Sequence, residues 1–98
     1  MAKQFSITVD RYEKPIEIAF NAYKAKIAKA ALKAIADNPG ISWDSVCEII
    51  GRRKMTADDI LGDLVFTGLI TPPPQFKNLW AAPDNYFITE QGRAILAD

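Results

Sequence analysis

The sequence predicts a mainly helical domain with a small β-hairpin, and three observations indicate this fold class. Apolar residues recur at spacings of three and four over much of residues 15–66, which is the period of amphipathic helices. Gly51 separates two short apolar runs, as expected for two helices joined by a tight turn. Two short apolar runs, at 69–71 and 86–88, flank a proline-rich stretch and indicate a hairpin with a long loop. The 98 residues are 49% hydrophobic, enough for one domain with a buried core.

Residues 1–14 are predicted to form a strand and a charged arm. Phe5, Ile7 and Val9 alternate with Ser6 and Thr8, which is the period-two pattern of a short strand. The charged residues that follow, from 10 to 14, indicate a connection.

Residues 15–38 are predicted to form one long helix. Pro15 fits a first helical turn, where its missing N–H would have no partner, and Glu17 favours the same end through the helix dipole. Asn38, Pro39 and Gly40 end the helix. Its predicted apolar face consists of Ile16, Phe20, Tyr23, Ile27, Ala30, Ala31 and Ala34. Further alanines would let a second helix approach closely, so the helix is a candidate homodimer interface.

Residues 42–70 are predicted to form a helix-turn-helix. Ser42 is a good N-cap for its first helix, and Gly51 supplies the left-handed turn that ends it. Thr56 is the predicted N-cap of the next helix, with Asp59 in a capping-box position, and Gly68 ends that helix. This shape suits the placement of a helix in the DNA major groove.

Residues 71–88 are predicted to form a hairpin with a proline-rich loop, and residues 89–98 a final short helix. Pro72, Pro73 and Pro74 forbid regular ladder pairing at the start of the loop. Thr89 is the predicted N-cap of a helix from Glu90 to Ala97, which would turn Ile95 and Leu96 inward.

Composition argues against an enzyme or a metalloprotein. There is no His, and Cys47 stands alone, so the commonest general base and a structural zinc site are both missing. We predict no catalytic residue, no metal and no cofactor. No apolar run approaches the roughly 20 residues needed to span a bilayer, and no signal peptide is evident. We therefore expect no membrane partner and a cytoplasmic location.

Charge is unevenly distributed along a chain whose net charge is zero. Residues 1–54 hold ten Lys/Arg and six Asp/Glu, a balance of +4, whereas residues 55–98 hold two and six, a balance of −4. Because nucleic-acid binders concentrate cations on the binding face, such a face would come mostly from the N-terminal half.

Two motifs resemble those of winged-helix transcription regulators. In that family a Gly-Leu-Ile strand follows the recognition helix, as at Gly68-Leu69-Ile70. A Tyr-x-Leu-Thr-x-x-Gly signature follows the wing, and the segment from Tyr86 to Gly92 is similar to it, with Ile88 at the Leu position. The resemblance covers roughly residues 20–97. It implies a winged helix-turn-helix, here with a long N-terminal helix and a short N-terminal strand, that binds double-stranded DNA and regulates transcription.

The resemblance implies that residues before and in the first turns of the third helix face DNA. Arg52, Arg53 and Lys54 would hold phosphates, with Thr56 beside them. Lys77 is the cation that the wing offers. Lys26, Lys29 and Lys33 share one edge of the long helix and form either a phosphate-contacting stripe or a solvated face.

A protein-contact module, or an inhibitor of a nucleic-acid-handling complex, is the alternative prediction. The third helix is acidic, and the wing is rich in proline and apolar residues, where the family often carries cations. Trp80 would either meet a partner or fold back on the third helix. The candidate partner-binding residues are Asp58, Asp59, Asp63, Phe66, Phe76, Leu79 and Trp80.

Overall fold

A computed structural model of the protein describes residues 4–10, 13–51, 54–71 and 86–97. These residues form four helices and two small antiparallel sheets. A mainly helical fold with a small hairpin is therefore confirmed. The elements in chain order are β1 (Phe5–Val9), β2 (Ile16–Phe20), α1 (Ala22–Asp37), α2 (Trp43–Ile50), α3 (Lys54–Phe66), β3 (Ile70–Thr71), β4 (Phe87–Ile88) and α4 (Glu90–Ala97).

An N-terminal hairpin replaces the first part of the predicted long helix. β1 and β2 pair antiparallel from Phe5 opposite Phe20 to Val9 opposite Ile16. The prediction of helix over residues 16–20 is therefore wrong. Ile16, Ile18 and Phe20 fit the period of a strand as well as that of a helix, and β1 supplies an apolar alternating partner that decides between the two.

Helix α1 begins at Ala22 because Asn21 is its N-cap. The Asn21 side chain accepts a hydrogen bond from the backbone N–H of Lys24 at 2.9 Å. The helix has 16 residues and ends at the predicted place, where the backbone N–H of Asn38 donates to Ala34 O at 3.1 Å. Pro15 lies outside it, before β2. The predicted apolar face holds for Ile27, Ala31 and Ala34, whereas Tyr23 and Ala30 are exposed.

The alanines of α1 face mostly inward. Ala25, Ala28, Ala31 and Ala34 are buried within the chain, where they allow α1 to pack closely against the other helices. They are therefore not available as the interface of a helix-to-helix homodimer.

The connection between α2 and α3 follows the predicted turn, but α3 starts earlier than expected. Ser42 caps α2, and Gly51 has φ of +64° and donates its N–H to Cys47 O at 3.1 Å. The prediction that Thr56 is the N-cap of α3 is wrong, because the helix already includes Lys54. Lys and Met are good helix formers, so α3 extends back toward Gly51. At its other end Gly68 has φ of +79°, as its predicted helix-stopping role requires.

The second sheet joins the C-terminal part of the chain to the segment before α2. Ile70 pairs with Ile88 and Thr71 with Phe87. Tyr86 extends the ladder to Ile41, since its N–H donates to Ile41 O and its carbonyl accepts from the N–H of Gly40, both at 2.9 Å. The predicted loop at 72–85 lies outside the described residues.

Helix α4 docks tightly on β3. Thr89 is its N-cap, as predicted: its hydroxyl accepts from the N–H of Gly92 at 3.2 Å and lies 2.7 Å from Gly68 O. Gly92 packs so closely that an added Cβ would lie 2.3 Å from Leu69 O. Ile95 and Leu96 pack against the core, again as predicted.

One apolar cluster connects the helices to both sheets. It contains residues of α1, α2 and α3, together with Phe20 of β2 and with Leu69, Ile70 and Tyr86 at the second sheet. Helix α4 packs against this cluster from outside. Its largest fully buried members are Tyr86, Phe20, Leu32, Ile35, Ile60, Leu61, Leu64, Leu69, Ile70 and Val46. Within the described ranges, no helix has the length and apolar character needed to cross a bilayer.

We predict that Gly92→Ala destabilises the fold by about 2–3 kcal/mol, because the new methyl group would overlap a backbone carbonyl that cannot move freely. Gly62→Ala is the matched control. Gly62 is an exposed helical glycine with open space around its Cβ position, so its substitution should stabilise the protein by about 0.5–1 kcal/mol. Urea unfolding of both variants measures the two changes. Equal effects of the two substitutions would contradict the close approach of α4 to β3.

Candidate nucleic-acid interface

The exposed face of α3 is the part of the predicted site that the structure describes best. Met55 is 77% exposed, Asp59 and Gly62 are also exposed, and Thr56 and Asp63 are half-buried. The opposite face is the buried stripe of Ala57, Ile60, Leu61 and Leu64. Helix α3 therefore presents a narrow outer face with one small residue in its middle, and this shape permits close approach of another molecule.

The predicted cation cluster falls only partly within the described residues. Lys54 is the first residue of α3, whereas Arg52 and Arg53 lie outside the described residues. A helix N-terminus favours anions, because its first N–H groups have no partner within the helix and the helix dipole adds a partial positive charge. Cations placed there would reinforce that preference.

Asp58 belongs to the scaffold as well as to the surface. Its Oδ1 accepts a hydrogen bond of 2.6 Å from Nε1 of Trp43, so the side chain joins α3 to the first residue of α2. Sequence reasoning placed Asp58 with the other acids and missed this bond. The available signal was Trp43 itself, because a partly buried indole N–H needs an acceptor.

Tyr86 lies behind the same contact. Its ring is fully buried, and its centroid lies 5.5 Å from that of Trp43 at an interplanar angle of 48°. Its hydroxyl has no hydrogen-bond partner among the described residues. Burial raises the pKa of Tyr86, and electrostatic interaction with Cys47 and Asp58 raises it further. The tyrosine that opens the predicted signature is therefore a core residue that packs against Trp43.

The lysines of α1 do not join the outer face of α3. Lys26 and Lys33 are exposed and Lys29 is half-buried, all on the side of α1 opposite its buried residues. Since α1 packs against α2 and α3 through those buried residues, the lysine stripe points away from both helices. Lys33 also pairs with Asp37 at 3.3 Å, an exposed i,i+4 ion pair that screening makes weak.

Acidic and apolar side chains dominate the described surface of α2 and α3. Asp44, Glu48 and Asp59 are exposed, and Ile49 is 57% exposed. Phe66 is half-buried near the end of α3. Within the described ranges, no group of three or more carboxylates and Cys is placed to hold a metal ion. The predicted wing residues Phe76, Lys77, Leu79 and Trp80 lie outside the described residues, so their roles stay predictions.

A cavity of about 360 Å³ lies beside the N-terminal hairpin rather than at this face. It is open to solvent and lined by Gln4, Phe5, Ser6, Glu17, Ala19, Phe20 and Asn21. Among the described residues its lining has one carboxylate, Glu17, and no cation, which disfavours phosphate, so the candidate interface remains the outer face of α3.

We predict that Tyr86→Phe leaves stability at neutral pH unchanged or raises it by about 1 kcal/mol, because it removes a buried hydroxyl that has no described partner. The raised pKa has a second consequence. Above the ordinary value of 10.0, unfolded Tyr86 loses its proton while the folded one keeps it, so stability falls as pH rises, by up to about 1.4 kcal/mol per pH unit.

Urea unfolding of both proteins from pH 8 to 11.5 tests this assignment. The wild type should lose stability more steeply than Tyr86→Phe, because lysine titration is common to both. Parallel curves would contradict the raised pKa of Tyr86. A loss of more than about 1.5 kcal/mol in the variant at neutral pH would show that the hydroxyl has a stabilising partner.

The chain was also compared with known proteins. No protein-family model matches it, and no curated protein is significantly similar to it.

Proposed function

We propose that this protein is a small winged-helix protein that binds double-stranded DNA and acts as a transcriptional regulator. The observation that supports this most strongly is the ladder of Ile41, Tyr86 and the β3–β4 pair, which attaches a hairpin to the α2–turn–α3 unit. The order of three helices, hairpin and final helix is the one that the motif resemblance implies. Function is proposed from this arrangement and from the chemistry of the face that it exposes.

In the proposed complex, α3 lies in the major groove with its exposed face toward the base edges. Thr56 can exchange hydrogen bonds with any base, and the Met55 side chain can contact a thymine methyl group. The exposed carboxylate of Asp59 on the same helix would be repelled by the phosphates that line the groove. Exposed Gly62 leaves room for the groove wall.

Phosphate contacts in this proposal come from Arg52, Arg53 and Lys54. Such contacts position a protein on the duplex and supply most of its salt-dependent affinity. The lysines of α1 are left out, because they point away from α3. The bond between Trp43 and Asp58 also matters, since it commits one of the three acids of α3 to the scaffold.

We expect duplex DNA binding to weaken with salt, with a slope of about 0.9 log unit per phosphate contact. The triple variant Arg52→Ala, Arg53→Ala, Lys54→Ala should lower that slope by up to about 2.7, the value for three contacts. Fluorescence anisotropy with a random-sequence duplex between 50 and 200 mM salt provides the measurement.

The matched control removes the same charge from α1 through Lys26→Ala, Lys29→Ala and Lys33→Ala. Its slope should equal that of the wild type, because these side chains lie on the face of α1 turned away from α3. Equal loss in both triple variants would indicate a general charge effect, and the absence of duplex binding at low salt would refute the proposal.

A protein-contact module is the second candidate, and one observation favours it. Ile49 and Met55 are large, exposed apolar side chains on either side of the turn between α2 and α3. Glu48 is exposed next to Ile49 in sequence, and Asp59 is exposed four residues after Met55 on the same helix. An apolar patch with an acidic rim fits a partner that is apolar at its centre and basic at its edge. In this reading Asp59 attracts its partner rather than repelling it.

Asp59→Asn separates the two candidates. If α3 faces DNA, loss of this exposed charge should tighten binding to a random duplex roughly two- to fivefold, since a charge near phosphates in water is worth about 0.5–1 kcal/mol. Asp10→Asn in the N-terminal hairpin is the control and should have no effect. Unchanged or weaker duplex binding by Asp59→Asn would favour the protein-contact reading.

A further inference from the structure

The N-terminal hairpin has an open strand edge. One side of β1 pairs with β2 over five residues, and on its other side no strand lies among the described residues. Each strand has a second row of backbone N–H and C=O groups directed away from its partner. Within residues 4–10, 13–51, 54–71 and 86–97, no strand pairs with the outer row of β1.

The two strands differ in how their edges are protected. Proteins commonly guard free edges with charged residues or proline. β2 contains Glu17 and directly follows Pro15, whereas the sequence of β1, Phe-Ser-Ile-Thr-Val, has no charge, no proline and no glycine. Ile7, Thr8 and Val9 are β-branched residues that favour strands. β1 thus has the composition of a strand inside a sheet rather than at its edge.

We propose that β1 pairs antiparallel with β1 of a second copy of this chain, forming a four-stranded sheet in the order β2, β1, β1, β2. The two-fold axis would pass beside Ile7, so that Ile7 lies opposite its own copy. Phe5 then lies opposite Val9, and Ser6 opposite Thr8. This is the register that pairs all five residues of both strands.

The alternation of side chains supports this register. Phe5, Ile7 and Val9 lie on the face of the hairpin that packs toward the core, and Ser6 and Thr8 lie on the solvent face. The proposed register keeps the large apolar residues of the four strands on one face, whereas a slip of one residue would turn half of them to solvent. Phe5 and Ile7 are only half-buried within one chain, so the second strand would cover apolar surface that remains open.

The lack of charge on β1 fits a second copy of the same strand as the occupant. Because β1 carries no charge, self-pairing places no like charges opposite one another within the strand. Just beyond it, Gln4 would meet Asp10 of the other copy, a pair that can form a hydrogen bond. A two-stranded ribbon is marginal alone, and doubling it gives a sheet of ordinary size.

A charge-reversal pair of variants tests the proposal without DNA. In Ser6→Lys/Thr8→Lys, each introduced cation would face another across the two-fold axis. Within its own hairpin, position 8 faces Glu17 and position 6 faces Ala19, so the fold should be retained. In Ser6→Glu/Thr8→Lys, the facing charges are opposite.

Sedimentation equilibrium over a range of concentrations should find twice the monomer mass of 10.9 kDa for the wild type and for Ser6→Glu/Thr8→Lys. Ser6→Lys/Thr8→Lys should dissociate at least tenfold more readily, with an unchanged circular dichroism spectrum. A monomeric wild type, or equal dimerisation of both variants, would overturn the proposal.

Hydrogen exchange on the wild type provides a readout that does not depend on how the variants fold. In the proposed dimer, alternate amides of β1 that face outward should be protected at high concentration and lose protection on dilution. Hydrogen exchange along β1 that does not change with protein concentration would also overturn the proposed dimer. Neither result depends on whether the protein binds DNA.

Discussion

The contacts of Tyr86 are the constraint on which the arrangement of the described elements depends. Its backbone bonds to Gly40 and Ile41 hold the C-terminal segment against the start of the α2–α3 unit. Its buried ring packs against Trp43, and Trp43 donates to Asp58. One residue thus connects the second sheet, the first turn of α2 and the first half of α3. A large aromatic residue suits this role because it buries much apolar area while losing few degrees of freedom.

Helix α4 packs against the second sheet next to the end of α3. The Thr89 hydroxyl and backbone contact Gly68 and Leu69, and Gly92 lets the helix approach Leu69 directly. Because Gly68 and Leu69 follow α3 immediately, these contacts hold the end of α3 while Tyr86 and Trp43 hold its beginning. The exposed face of α3 is therefore carried by a helix fixed at both ends, and a surface that recognises another molecule needs such support.

Local signals in the sequence were sufficient for several elements. Ser42 and Gly51 bound α2, Thr89 caps α4, and Gly68 ends α3, because caps and left-handed turns depend on a few neighbouring residues. Features that depend on distant partners were not predictable in this way. Residues 16–20 fit two periods until β1 is placed beside them, and the bond between Trp43 and Asp58 spans fifteen positions of the chain. The burial of alanines on α1 likewise depends on which helices pack against α1.

The balance of charge on α2 and α3 makes dimerisation relevant to the proposed function. A single copy would offer three cations at the turn against the exposed carboxylates of Asp44, Glu48 and Asp59, so its affinity for DNA would be modest. Two copies joined through β1 would present two α3 helices related by a two-fold axis, the symmetry of a palindromic duplex site. Once the first weak contact is made, the second forms within the same complex at a high effective concentration. The avidity of the dimer can then exceed the affinity of either single contact by roughly 10²–10⁴. In the proposed dimer, a chain with zero net charge would hold DNA through a site that is weak in one copy, provided that the spacing of the two helices matches the duplex.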